Sequence, residues 1–288
     1  MRKTYLVGCL LSLLVFASCN LTTMSTVEYE RLEPSSVTFP LNVTRIGVMP
    51  WGDKVSPFLR AASDEVAQNL ADADYFGLVV VPTDSDLTAW NGQLSVPLSQ
   101  ADVDTVCRQL GVDALICVAS VHTETLADYL FATKLYSCLY MNNRKPLVFC
   151  DSVQLFEGVE VDWMAELSRK CASNFVPNWA AVTRDFYTNS SIGFRDAMVM
   201  YWNGDYDSAI QIWKDIYAHS GSKKTYMVAY NLAACYERID KPDSALVWIE
   251  KCVNASDDNA SKNRLKLWSE TLLKRVQNQK KLDIQLNR

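Results

Sequence analysis

Histidine is almost missing from this chain: His122 and His219 are the only two in 288 residues, and they lie far apart in sequence. A histidine-rich zinc site or a histidine-centred triad therefore has little material to draw on. No Cys-x-x-Cys pair occurs, and the His-Glu-x-x-His helix is absent. The Gly-x-x-x-x-Gly-Lys-Ser/Thr loop that cradles phosphate is missing, and no Gly-x-Gly-x-x-Gly follows any predicted strand. The Gly-x-Ser-x-Gly elbow of serine hydrolases is missing too. Lysine and arginine never cluster into a basic block, which removes the electrostatic footprint of a nucleic-acid partner. No cofactor is expected, and no enzymatic activity.

What is present begins with Arg2 and Lys3, an apolar run from Leu6 to Phe16, and Ala17-Ser18-Cys19. A basic start, a short apolar stretch and small residues at its end form the layout of a secretory signal. Eleven residues are too few to cross a hydrocarbon core of about 30 Å. Phe16-Ala17-Ser18-Cys19 resembles the lipobox of bacterial lipoproteins, with Phe16 where that pattern prefers an aliphatic residue. The resemblance implies a signal over residues 1–18 and acylation of Cys19 as the mature N-terminus. Residues 19–40, polar and without periodicity, are then expected to be a tether.

Cleavage before Cys19 leaves 270 residues, room for two domains, with 26 basic against 33 acidic side chains. At 49% hydrophobic and 21% charged, the chain is globular in composition. Of the nine cysteines, Cys9 leaves with the signal and Cys19 carries lipid, so seven remain, an odd number that cannot pair completely. Most sit among apolar neighbours and act as small hydrophobes. Cys138 and Cys150 are the plausible bridge, since a hairpin would bring their strands together.

Residues 41–160 read as a mixed α/β domain. Arg45–Met49, Leu78–Val81 and Ala114–Val118 are apolar, β-rich runs. Helices are expected between them: one over about Ser63–Asp74, and one opened by the Ser99/Asp102 capping pair and ended by Gly111. Two further β-rich runs, Leu130–Tyr140 and Leu147–Phe156, flank Asn142-Asn143-Arg144-Lys145 and predict an antiparallel hairpin. The result is a mixed sheet of about five strands. This order resembles the N-terminal domain of TolB and the curli-secretion lipoprotein CsgG.

Residues 161–288 read as all-helical, giving an α+β chain overall. Trp163, Leu167, Cys171 and Phe175 recur every four residues, and a further helix from about Pro177 is expected to carry Trp179, Val182 and Phe186 on one face. Tyr206-Asp-Ser-Ala-Ile-Gln-Ile-Trp213 and Pro242-Asp-Ser-Ala-Leu-Val-Trp-Ile249 repeat one phrase, their alanines 36 residues apart. That spacing is close to the tetratricopeptide period of about 34. Small Ala209 and Ala245 let antiparallel helices approach closely, while a following aromatic fills the groove beside them. Leu265, Trp268, Leu272 and Val276 supply a capping helix. The signal, the Leu32-Glu-Pro-Ser-Ser-Val-Thr-Phe-Pro40 segment, the Val176-Pro177-Asn178-Trp179 turn and this repeat together resemble an uncharacterised family of Bacteroidetes lipoproteins, a domain of unknown function.

Residues on the inner face of the leading helices of such a repeat line a groove. On this register Arg195, Tyr201, Tyr230, Asn231, Glu237 and Arg238 are the candidate partner-binding residues, with Asn and Arg suited to a peptide backbone or carboxylate. Asp257-Asp258-Asn259 hints at calcium, but Lys262 stands where the loop needs glycine. Asp72 and Asp74 suit a solvated helix end. The expectation is a non-catalytic adaptor in the cell envelope, bound to the membrane through its lipid and to a protein or peptide partner. No acidic run follows Cys19, which in the lipoproteins it resembles implies an outer-membrane location facing the periplasm. Two alternatives stand beside it: binding or turnover of a small envelope metabolite by the α/β domain, and a structural role in a secretion or assembly complex.

Overall fold

In Ala114-Leu115-Ile116-Cys117-Val118 every side chain is buried, so successive residues feed cores on opposite faces of one strand. That pattern belongs to a sheet covered on both sides. The computed structural model describes residues 23–52, 55–127, 130–142, 144–156, 162–256 and 258–287. Its described residues form two compact units: a sheet unit of residues 32–179 and 281–287, and a helical unit of residues 23–31 and 180–280. The signal and Cys19 lie outside the described residues. Among the described residues, no helix is long and apolar enough to cross a membrane.

The sheet unit contains β2 (Arg45–Pro50), α1 (Pro57–Asp72), β3 (Leu78–Val80), α2 (Asp84–Trp90), α3 (Gln100–Leu110), β4 (Ala114–Ala127), β5 (Leu130–Met141), β6 (Leu147–Phe156) and α4 (Trp163–Ser173). Its five strands run in the order β3-β2-β4-β5-β6, parallel over the first three and antiparallel over the rest. Ile46, Val48, Ile116 and Val118 face a core completed by Leu59, Val66 and Leu70 of α1 and Leu167 and Cys171 of α4. Met49, Leu115 and Cys117 face the other side, under Trp90, Val103 and Val106. The capping box of α3 forms between Ser99 and Asp102, and Gly111 closes the helix at φ 65°, a conformation that only glycine adopts without strain. The predicted hairpin matches β5 and β6. α1 begins earlier than expected, because Ser56 caps it and Pro57 takes its first turn.

Residues 23–40 are not the expected tether. Thr23–Glu33 forms β1, and Val37 and Phe39 are buried in the sheet unit. Gln285, 1% exposed, locks the latter segment by accepting from Ser35 N at 3.0 Å and donating to Val37 O at 2.9 Å.

The second correction concerns residues 178–188, expected as a helix and found as strand β7 (Asn178–Thr188), paired with β1 in a two-stranded ribbon. Thr23 meets Thr188 and Thr26 meets Asp185, an antiparallel order. Val182 and Phe186 are four residues apart, a spacing that satisfies both the helical period and the strand period of two, so the sequence pattern did not discriminate.

The helical unit packs α5 (Ile192–Trp202), α6 (Tyr206–Ala218), α7 (Ser222–Arg238), α8 (Pro242–Ala255) and most of α9 (Asn259–Leu286) into one core. Ala209 and Ala245 are fully buried, as the repeated phrase requires. Trp213 is fully buried beside them, whereas Trp202 is 55% exposed and not core. Asp258 caps the start of α9 by accepting from the backbone of Ala260 and Ser261. Asp72 and Asp74 are exposed at the end of α1.

Candidate functional site

The six groove residues expected from the repeat do lie on its helices, but the chain's own β1-β7 ribbon engages most of them. Asn231 of α7 is fully buried. Its amide accepts from Tyr187 N and donates to Tyr187 O, both at 2.8 Å, copying the pairing of a neighbouring strand. Glu237, further along α7, is 2% exposed. Its carboxylate accepts from Arg184 Nε and Nη2 at 2.7 Å, from Arg31 Nη1 at 2.9 Å and from Trp268 Nε1 at 2.8 Å. Burial works to lower the pKa of Arg184, and the Glu237 carboxylate outweighs it and raises the pKa. Arg238 stacks its guanidinium 4.7 Å from the Tyr29 ring of β1. Tyr201 is buried against Phe186 of β7 at 4.5 Å between ring centres. Arg195 is exposed on α5. Asn231 and Glu237 are thus structural groups within the unit, with their polar atoms already in use.

Tyr230 is the groove residue that borders open space. It lines a cleft of about 390 Å³ bounded by β7, α7 and α9, together with Tyr187, Tyr226, Trp268, Asp185 and Arg264. The rings lean on one another: Tyr187 meets Tyr230 edge-on at 5.2 Å and Tyr226 at 5.8 Å, and Trp268 lies 5.0 Å from Tyr230. Burial, with a smaller push from Asp185 and Tyr187, raises the Tyr230 hydroxyl to about 12. Burial also raises Tyr226 well above the usual phenol range. Both hydroxyls stay protonated at neutral pH, able to donate and accept hydrogen bonds but not to act as bases. Exposed Leu267 and Met24 stand at the rim. Fixed aromatic rings with polar tips and two arginines, Arg184 and Arg264, suit a peptide with apolar side chains. The sequence reading missed Tyr187 and Asp185 because it placed them on a helix, and missed Tyr226 and Arg264 because neither falls on the inner-face register of the leading helices.

A second cleft, of about 790 Å³, opens in the sheet unit at the carboxyl ends of β2 and β3. The chain leaves β2 for α1 on one face of the sheet, and leaves β3 for α2 and α3 on the other. Such reversals leave a crevice beyond the strand ends. Trp51, Ser56, Arg60, Asp84, Thr88 and Asn91 are on its walls. Arg60 donates to Pro82 O at 3.1 Å, and its Nη1 lies 3.0 Å from Asp84 Oδ1. Its charge is therefore largely compensated. Among the described residues, no group of three or more His, Cys, Asp and Glu side chains is arranged to hold a metal ion.

The predicted Cys138–Cys150 bridge does not match the register of the hairpin. Cys150 stands opposite Tyr136 and Cys138 opposite Val148, while on its other side Cys138 faces Cys117 of β4. All seven described cysteines are free thiols.

Residues 195–275 match a domain of unknown function, DUF6340, and residues 52–145 match another, DUF8603. The first match lies within the helical unit and the second within the sheet unit. No curated protein matches the chain. Among solved structures, the chain is similar to PelC dodecamers from Paraburkholderia phytofirmans. One shares 11% identity at a TM-score of 0.33, over 52% of this chain and 98% of that one. Another shares 10% identity at a TM-score of 0.34, over 54% and 99%.

Proposed function

We propose that this chain is a non-catalytic, lipid-anchored protein of the cell envelope whose helical unit docks a protein or peptide partner. The observation that carries the docking is the aromatic cleft of Tyr187, Tyr226, Tyr230 and Trp268. On this reading the helices are a tetratricopeptide-like array whose usual groove is taken by the β1-β7 ribbon, and the partner uses the side of α7 that the ribbon leaves open. The same reading assigns the sheet unit, by its mixed five-stranded sheet, to the type of the TolB N-terminal domain and CsgG, and the whole chain to a family of Bacteroidetes lipoproteins. The anchor is Cys19, acylated after removal of residues 1–18, on the periplasmic side of the outer membrane. Each buried methylene of the lipid contributes about 0.8 kcal/mol, and two chains are needed for firm attachment.

A photo-crosslinking residue at Leu267, on the cleft rim, tests the docking. A discrete adduct from intact cells that Tyr230→Ala abolishes and an exposed control position such as Ile192 never forms supports it. Crosslinks that are equal at both positions refute it. A partner that is itself part of a larger assembly would place the chain in a secretion or assembly complex. For the anchor, Cys19→Ala is expected to move the protein from the membrane fraction to the soluble periplasm, and membrane retention refutes it.

A second reading follows from the cleft at the ends of β2 and β3: the sheet unit binds a small polar metabolite against Trp51 and Arg60. A ligand-induced rise in melting temperature that Arg60→Ala removes and Tyr230→Ala leaves intact would favour it over peptide docking.

A further inference from the structure

We propose that Cys117 and Cys138 join in a disulfide when the chain folds in contact with a disulfide oxidant. The two residues are directly opposed in the β4-β5 pair, flanked on either side by Ile116 opposite Leu139 and Val118 opposite Ser137. Opposed residues of an antiparallel pair hold their Cα atoms about 4.5 to 5.5 Å apart, inside the span of about 4.4 to 6.8 Å that a disulfide bridges. Both side chains point into the same small core, beside Leu115 and Tyr140.

The other cysteines lack this arrangement. Cys150 faces Tyr136, and Cys171 belongs to the core on the opposite face of the sheet. Cys235 and Cys252 are buried in the helical unit. Cys107 of α3 joins the same core as the pair, but it enters from a helix rather than from an opposed strand position.

The chemistry is a two-step exchange with a disulfide, either a small molecule such as oxidised glutathione or a protein oxidoreductase. The Cys138 thiolate, half-buried where Cys117 is fully buried, attacks the oxidant and releases one of its sulfurs as a thiol. Cys117, deprotonated, then displaces the second. One S–S bond of the oxidant breaks and one forms in the protein; the protein's two thiols are oxidised as the oxidant becomes two thiols. Burial pushes both protein thiols up, so exchange is slow once the core has closed, and the bond forms while the hairpin is assembling. The envelope reading supplies the oxidant in the cell, and only in that respect does the inference rest on it.

The test therefore supplies the oxidant. The full chain, held in detergent, is reduced and unfolded in urea, then diluted into a buffer of reduced and oxidised glutathione. After alkylation and digestion, the expected product is a Cys117–Cys138 peptide pair, with Cys107, Cys150, Cys171, Cys235 and Cys252 alkylated. Alkylation of all seven, or a bridge from Cys107 or Cys150 to either partner, overturns the proposal. Cys117→Ser is expected to leave Cys138 alkylated, and rerouting of Cys138 to another cysteine overturns it as well. Failure of the envelope reading would show separately, as a bond that forms in this buffer while the chain recovered from cells is cytosolic and reduced.

Discussion

The two units of this chain are stabilised in different ways. The sheet unit buries aliphatic side chains on both faces of a five-stranded sheet, with Ile46, Val48, Leu115, Ile116, Leu135 and Leu139 each 0% exposed. The helical unit has a single apolar core but threads it with polar groups: Asn231 at 0%, Glu237 at 2% and Arg275 at 3% exposure. Fixing a two-stranded ribbon on helices leaves backbone and charged groups that need partners, and α7 supplies them from its own sequence. In the sheet unit the strands pair with one another, and buried Gln285 serves only the segment outside the sheet at residues 35–37. The first unit should therefore be sensitive to lost volume and the second to lost charge or hydrogen bonds.

Glu237→Ala tests this contrast most severely. It strips Arg31, Arg184 and Trp268 of a shared acceptor, and is expected to destabilise the helical unit by about 3–5 kcal/mol. Urea unfolding gives the magnitude, and hydrogen exchange should confine the loss to residues 180–280 and β1. In the sheet unit, Leu135→Ala is expected to cost about 2–5 kcal/mol by cavity formation. A small effect there would mean that the sheet core collapses around the gap. Asn231→Ala orphans the N–H and C=O of Tyr187 and should cost about 1–3 kcal/mol per unpaired group, read as faster amide exchange at Tyr187. Ser99→Ala removes the cap of α3 and should cost about 1 kcal/mol, read as a lower thermal midpoint.

The smallest expected effect is one of pH. Hydrogen bonds from the Ser95 and Ser99 hydroxyls lower the Asp102 carboxyl from 3.8 to about 2. A depressed carboxyl contributes stability that is fully present above its unfolded value and is lost as pH falls through its folded one. The contribution should therefore fade between about 3.8 and about 2, and Asp102→Asn should flatten that part of the acid limb.

Legibility differed between the units for the same physical reasons. In the sheet unit the pattern of short apolar runs, the capping box at Ser99 and Asp102 and the glycine at 111 are local signals, and the strands and α3 fall where they point. The repeated Ala209 and Ala245 phrases likewise marked helix packing correctly. The candidate site was only half legible. Tyr230 does reach an open cleft, yet Tyr187 opposite it comes from a strand that the spacing of Val182 and Phe186 disguised. Asn231 and Glu237 were marked for a partner because they are polar on the inner face of a helix, and sequence carries no signal that a ribbon 44 and 53 residues upstream would claim them.

By itself, the sequence determined several elements governed by near neighbours: the caps of α3, the helices of the repeated phrase and the strand pair β5-β6. Only the tertiary structure decided that residues 23–33 are a strand rather than a tether, that Cys138 faces Cys117, and that the inner face of α7 is occupied from within. Those outcomes depend on pairings between distant segments, whose register is set by the packing of the whole unit and not by the residues beside them.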